Sequence, residues 1–230
     1  NYEPEILYSY EVGMKTTYDA INLAGSAFYY DYQDLQVPLI LDTNKGAQVF
    51  NAGESKIWGG ELSIDAWLTD SDQITASVNY LNAEYTDFNA ALPVQCLGGC
   101  GITAVSEVNG ELINLGGNEP SHAPDWILTL GYDHYWEIEA GLVTASLFTR
   151  WKDDYYLSPY NDHDSKQDSY MQTDANVKFT SKDDAWEVML YVRTIEDNDV
   201  MTYYTYTAAG PDDVQLWSFA APRTYGIKLT

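Results

Sequence analysis

The chain has 230 residues, of which 35 are acidic and 11 are basic, giving a formal net charge of -24. This balance argues against nucleic acid as a partner, because phosphate backbones are bound by Lys and Arg. No segment approaches the 18 or so consecutive apolar residues of a membrane helix, so a chain of this composition that meets a bilayer must cross it with strands.

Aromatic residues are abundant, with 20 Tyr, 7 Trp and 6 Phe. Tyr and Trp suit a membrane interface, because the ring is apolar and its tip forms hydrogen bonds. The same side chains also form sugar-binding surfaces and pack inside ordinary β-sandwiches. Composition therefore leaves these three settings open.

Nine segments alternate apolar and polar residues, which is the pattern of strands whose two faces meet different environments. The third is the clearest, because Trp58, Leu62 and Ile64 share one face while Glu61 and Asp65 share the other. Carboxylates are costly in a dry core, so the second face is expected to be wet. The predicted strands cover residues 5–18, 23–35, 58–68, 74–80, 126–132, 143–149, 171–179, 186–193 and 224–230.

The connections between these strands alternate in length. Short turns follow strands one, three, five and seven, and long polar segments follow strands two, four, six and eight; the longest covers residues 87–124. A sandwich with Greek-key links does not give this alternation, whereas an up-and-down barrel gives it directly. The fold class predicted is all-β, an antiparallel up-and-down transmembrane β-barrel with short periplasmic turns and long external loops.

Nine strands do not close a bacterial single-chain barrel, which uses even strand numbers. The chain also begins at Asn1 rather than at Met. We therefore expect it to be an internal piece of a longer, processed protein, with upstream strands outside the sequence.

The two cysteines, Cys96 and Cys100, lie within Cys-Leu-Gly-Gly-Cys in the longest loop. The glycines between them permit a tight turn, which favours a small-loop disulfide in an oxidising compartment. A metal site is the alternative, but no neighbouring His and Cys complete a zinc tetrad.

Several segments resemble TonB-dependent outer-membrane receptors, and they occur in the order found in that family. Near the start of the chain they are PE and YEVGMK within residues 3–15, AFYYDYQDLQ at 27–36, and NAG and GGEL within 51–62. Further along they are Pro120 and Ala123-Pro124 ahead of Trp126, and PRTYGI at 222–227. The chain departs from the family pattern at residues 193–197, which read RTIED, and it ends on Thr230 where the family has an aromatic residue.

The resemblance implies that residues 1–230 are the C-terminal portion of a receptor barrel, about the last nine strands of about 22. The plug domain, the upstream strands and the TonB-binding segment would lie outside this sequence. The implied function is uptake of a scarce nutrient (a ferric siderophore, cobalamin, haem or an oligosaccharide) across the outer membrane of a Gram-negative bacterium. The implied partners are outer-membrane lipid and lipopolysaccharide, the TonB–ExbB–ExbD complex and the small nutrient.

No catalytic motif is present: there is no Gly-x-Ser-x-Gly, phosphate-binding loop or dinucleotide fingerprint. We therefore predict no enzyme activity, no cofactor and no metal site. Ligand contacts are expected from the loops and the upper lumen. The candidates are Tyr155, Tyr156 and Tyr160 at a loop root, His163 in the same loop, and Trp151. Plain packing of the loop is the alternative, and favoured, role of the three tyrosines.

A secreted, soluble glycan-binding β-sandwich is the main alternative function. It predicts that the apolar faces around Leu62, Leu128 and Val188 meet a second sheet. An outer-membrane hydrolase barrel is a further alternative, disfavoured by the missing nucleophile motif, and a purely structural barrel is another. The acidic loops disfavour an anionic ligand unless a metal bridges it.

Overall fold

The computed structural model of the chain describes residues 4–39, 48–51, 53–91, 112–209 and 212–230. Nine strands form one antiparallel sheet, in which each strand pairs with the preceding and the following one of the nine. These wall strands are β1 (Ile6–Tyr18), β2 (Ile21–Gln33), β3 (Glu54–Trp67), β4 (Asp72–Asp87), β5 (Trp126–Ile138), β6 (Gly141–Lys152), β7 (Tyr170–Ser181), β8 (Glu187–Arg193) and β9 (Thr224–Leu229). β1 and β9 are the edges, so the sheet is an open, partial barrel.

The predicted alternation of connections is confirmed. Short turns of two to five residues cover 19–20, 68–71, 139–140 and 182–186, and long connections cover 34–53, 88–125, 153–169 and 194–223. All short turns lie at one end of the sheet and all long connections at the other, because the strands run up and down in sequence.

The strands β3 and β4 are longer than their sequence pattern predicts. Ser55 pairs with Tyr85 and Lys56 with Glu84, which extends this ladder beyond the alternating segments. Pairing between main chains does not depend on side-chain alternation, so the pattern underestimates the length of both strands.

The long connections contain secondary structure of their own, where the sequence analysis expects loops. Each carries a two-stranded hairpin, and the longest of these hairpins is rich in Tyr and Thr, which favour strands. The pairs are Gln36–Leu39 with Gln48–Asn51, Asn89–Ala91 with Leu112–Asn114, Tyr155–Tyr156 with Lys166–Gln167, and Met201–Ala209 with Asp212–Phe219.

Cross-strand register separates an apolar face of the sheet from a polar face. One row of the apolar face runs through Met14, Gly25, Leu62, Val78, Leu128, Trp151 and Met171. Leu62 is 60% exposed, Leu190 53% and Leu130 43%. No other described part of the chain covers these side chains, so the second sheet required by a β-sandwich is not found there.

Three glycines in the wall lie beneath aromatic rings of neighbouring strands on the polar face: Gly59 under Phe28, Gly131 under Phe148 and Gly226 under Tyr191. A Cβ at Gly59 would lie 2.1 Å from the carbonyl oxygen of Tyr80 and 2.8 Å from Cζ of Phe28. Glycine is therefore needed there for the close approach of both the Tyr80 carbonyl and the Phe28 ring.

Within the described residues, no helix has the length and apolar character needed to span a bilayer. The helical segment described is a single 3-10 turn, His163–Ser165, in the third long connection.

Candidate functional site

The polar face of the sheet is lined by side chains that hydrogen-bond across strands. One row runs through Lys15, Ala24, Ser63, Ser77, Thr129, Arg150 and Gln172. In it, the hydroxyl oxygens of Ser77 and Thr129 are 2.6 Å apart, and Arg150 Nη2 donates to Gln172 Oε1 at 3.0 Å. Such a surface is stable when it faces water or another polar surface, which fits the interior of a barrel.

Carboxylates on this face also have donors from adjacent strands. Asp65 accepts from Asn22 Nδ2 at 3.3 Å and from Gln73 Nε2 at 2.9 Å. The hydroxyl of Tyr30 donates to Glu11 at 2.7 Å. The charged groups are therefore held by neighbouring strands within a hydrated wall, as the sequence predicts for the face that carries Asp65.

Three long connections (88–125, 153–169 and 194–223) contact one another above the sheet, and we call their described residues the loop platform. Asn161 joins the first two: its Nδ2 donates to Glu119 O at 3.0 Å and its Oδ1 accepts from Glu119 N at 2.8 Å. Asn118 Nδ2 donates to Pro159 O at 3.0 Å. Asn161 has φ +48°, a conformation that Asn tolerates better than most residues.

The third connection of the platform is joined to the second by polar and apolar contacts. Met201 N donates to Gln167 Oε1 at 2.7 Å, and Gln215 Nε2 donates to Asp164 Oδ2 at 2.8 Å. A small buried core contains Tyr155, Leu157, Tyr170, Val200 and Tyr204. The three connections therefore form a single layer at the long-loop end of the barrel.

The structure places four of the five predicted ligand residues in the loop platform. Tyr155 and Tyr160 are buried, at 4% and 8% exposure, and Tyr156 is half-buried with Lys166 Nζ 5.6 Å from its ring centroid. The side chain of His163 is 92% exposed. Trp151 lies apart from them, on the apolar face opposite Leu128 and Met171. The ligand role of these residues stays a prediction.

The expected disulfide of Cys96 and Cys100 lies outside the described residues. Among those that the structure describes, no group of three or more His, Cys, Asp and Glu side chains is arranged to hold a metal ion.

A cluster of acidic residues lies where the platform meets the strand ends. Burial raises the pKa of Glu119 above its usual 4.5, and repulsion from Asp125 and Asp154 raises it further. Burial also raises the pKa of Asp125, with Asp153 and Asp154 adding to the effect. Lys166 Nζ lies 2.7 Å from Asp154 Oδ2 and offsets part of this charge. The part of the rim around Glu119 and Asp125 is therefore locally acidic.

Sequence reasoning missed a cleft on the polar face near the long-loop end. It has a volume of about 320 Å³ and is lined by Phe148, Arg150, Gln172, Asp174, Arg193 and Thr194. Sequence alternation places Arg193 on the polar face of its strand, but it does not show that Arg150, two strands away, lines the same cleft. The usable signal was that two of the three arginines in the chain occur near the long-loop ends of nearby strands.

Comparison with known proteins agrees with this architecture. The family described as "TonB dependent receptor-like, beta-barrel" matches residues 1–195. No match was found among curated protein sequences.

Among solved structures, the ferric yersiniabactin uptake receptor FyuA from Yersinia pestis is 18% identical over 98% of this chain, with a TM-score of 0.72, and 29% of its own chain is covered. The siderophore receptor PiuA from Acinetobacter baumannii is 19% identical over 97% of this chain, with a TM-score of 0.68 and 28% of its length covered. The copper transporter OprC is 15% identical over 99%, with a TM-score of 0.65 and 31% covered.

These likenesses extend over nearly all of this chain but less than a third of each receptor. At such identities they establish the fold alone, whereas the family match covers most of the sequence. From the alternating loops, the two-faced sheet and this match, we conclude that the chain belongs to the TonB-dependent receptor family, as part of its β-barrel.

Proposed function

We propose that this chain is the C-terminal part of the barrel of an outer-membrane receptor that takes up a scarce nutrient with energy supplied through TonB. The single observation that carries the proposal is the two-faced wall of a family member. No other described residues cover its apolar face. The long connections pack into a layer at one end of the wall only.

In this proposal, the apolar face meets the hydrocarbon of the outer membrane and the polar face lines the lumen. Trp58, Tyr80 and Trp126 form a row of ring contacts on the apolar face, with centroid distances of 5.4 and 4.6 Å. They lie toward the long-loop end, where a girdle of aromatic residues would meet the outer interface and lipopolysaccharide. The long loops would then face the exterior and the short turns the periplasm.

The nutrient would bind to the loop platform and the upper lumen, with Tyr156 and His163 as its accessible aromatic and imidazole groups. The structural neighbours include a ferric yersiniabactin uptake receptor, a siderophore receptor and a copper transporter. This supports an iron or metal chelate as the first ligand to test, with cobalamin, haem and oligosaccharides as the remaining classes. The plug and the contact with TonB–ExbB–ExbD would be supplied by the part of the receptor upstream of this chain, and we propose no catalytic step.

The test is uptake in the native host with the full-length gene deleted, and then restored on a plasmid. Cells starved of iron are given radiolabelled ferric chelates, copper, cobalamin, haem or oligosaccharide in parallel. We expect uptake of one class to depend on both the gene and TonB, and to stop when a protonophore collapses the proton gradient. If deletion of the gene changes the uptake of none of these ligand classes, the proposal is refuted.

The glycan-binding sandwich finds no support in the described residues. Leu62 and Leu128 are 60% and 39% exposed, where a sandwich would cover them with its second sheet.

A further inference from the structure

The cleft on the polar face lies at the ends of three neighbouring strands. Arg150 is two residues before the end of β6, Gln172 is two residues after the start of β7, and Arg193 is the last residue of β8. These strand ends lead into the connections that form the loop platform. The cleft is therefore placed where a molecule entering from the loops first reaches the polar wall.

The two arginines of this cleft have no carboxylate partner among the described residues. No oxygen of an Asp or Glu that the structure describes lies within 4.0 Å of either guanidinium, whereas Lys166, Lys178 and Arg223 each have an acid within that distance. Nε of Arg150 is buried without an acceptor in the described part of the chain. The guanidinium of Arg193 lies 5.4 Å from the ring centroid of Tyr191.

The other polar groups of the cleft are already engaged. Arg150 has one neutral acceptor, Gln172 Oε1, at 3.0 Å. Asp174, the carboxylate of the cleft, accepts from the main-chain N–H of Thr194 at 2.9 Å. The lining thus has two positive groups against one negative group, in a chain whose net charge is -24. A guanidinium that is partly desolvated and lacks an anion is costly, so the site favours an external anionic group.

We propose that Arg150 and Arg193 form a subsite for an oxyanion, a carboxylate or comparable acidic group on the transported ligand. The proposal rests on the uptake function proposed above. Guanidinium groups bind carboxylates through two parallel N–H donors. Because Nε of Arg150 is buried, the terminal Nη groups of Arg150 and Arg193 are the donors that such an anion would meet. Phe148 contributes an apolar wall beside the anion.

The subsite changes the expectation drawn from the acidic loops. The negative rim around Glu119 and Asp125 opposes anions in general, and the arginine cleft accepts one at a defined position. A ligand with a single acidic arm directed at the barrel wall satisfies both features, whereas a uniformly anionic ligand is opposed by the rim.

The test uses the purified full-length receptor with citrate as a probe and isothermal titration as the measurement. The variants are Arg150→Gln, Arg193→Gln and the double variant, with Lys178→Gln as the matched control on the same polar face but outside the cleft. We expect the double variant to weaken citrate binding at least about tenfold, with each single variant between it and the wild type. We expect Lys178→Gln to stay within about twofold, because its exposed ion pair with Glu187 contributes little. The proposal is overturned if citrate does not bind to the wild type, or if it binds to the wild type and the double variant equally well.

A carboxylate of the receptor's own upstream part is the other source of the same chemistry, and thermal unfolding separates the two. If the ligand supplies the anion, the double variant without citrate unfolds at or above the wild-type temperature, because no unpaired guanidinium remains in the cleft, and it loses the rise that citrate causes. A lower unfolding temperature of the double variant without citrate, with Lys178→Gln unaffected, assigns the arginines to an internal carboxylate and overturns a ligand subsite. TonB-dependent uptake in cells reports separately on the proposed function, because uptake can persist when citrate binding fails.

Discussion

Replacing Leu62 by Arg tests whether hydrocarbon covers the apolar face. The apolar-face residues here run from Trp58 in β3 to Leu68, the first residue of the following turn, ten residues further along the chain. Ten steps of a strand span about 33 Å, and a tilt of about 45° reduces this to a height of about 23 Å, close to the apolar band of an outer-membrane barrel. Leu62 is one step from the middle of this span, so it lies about 2 Å from the bilayer midplane by the same geometry.

An Arg near the midplane of a barrel costs about 2–4 kcal/mol in folding free energy. The matched control is Ser63→Arg, which puts the same side chain on the next residue but on the polar face. We expect denaturant unfolding of the full-length receptor in lipid vesicles to show Leu62→Arg less stable than Ser63→Arg by about 2–4 kcal/mol. Two variants that agree within about 0.5 kcal/mol, as ordinary exposed substitutions do, would refute a lipid-covered face.

Three further predictions concern packing and charge. Gly59→Ala forces a Cβ to within 2.1 Å of Tyr80 O, so we expect it to lower the free energy of unfolding by about 1–3 kcal/mol. Gly25→Ala, where the nearest atom is 3.5 Å away, serves as its control in the same denaturant titration and should be near neutral. Asn161→Ala removes both hydrogen bonds to Glu119, so hydrogen exchange should accelerate at residues 118–122, while His163→Ala, at a 92% exposed side chain, should leave those amides unchanged. Because the folded-state pKa of Glu119 is raised, folding binds its proton more tightly, and the platform should gain stability as pH falls through that raised pKa toward 4.5. Exchange protection at 118–122, corrected for intrinsic rates, should therefore increase on acidification in the wild type and change less in Glu119→Gln; an equal response in both would show that another group titrates.

The wall strands and the order of long and short connections follow from the sequence alone. A strand alternates its side chains every second residue, so a wall with one wet face and one apolar face is visible in local segments such as 58–68 and 171–179. Turn residues such as Asp19 and Asp184, both with positive φ, mark the short connections for equally local reasons.

Contacts between distant segments were decided only by the tertiary structure. Arg150 and Arg193 share a cleft because β6, β7 and β8 pair in one register, and that register depends on the turns and on main-chain hydrogen bonds along the whole sheet. Asn161 joins Glu119, 42 residues away, through an amide that carries no periodic signal. Gly59 is explained only when Phe28 is placed over it from the neighbouring strand. Alternation is a property of a few consecutive residues, whereas these contacts depend on where separate strands and loops meet. A local sequence pattern does not specify which distant residues come close together in space.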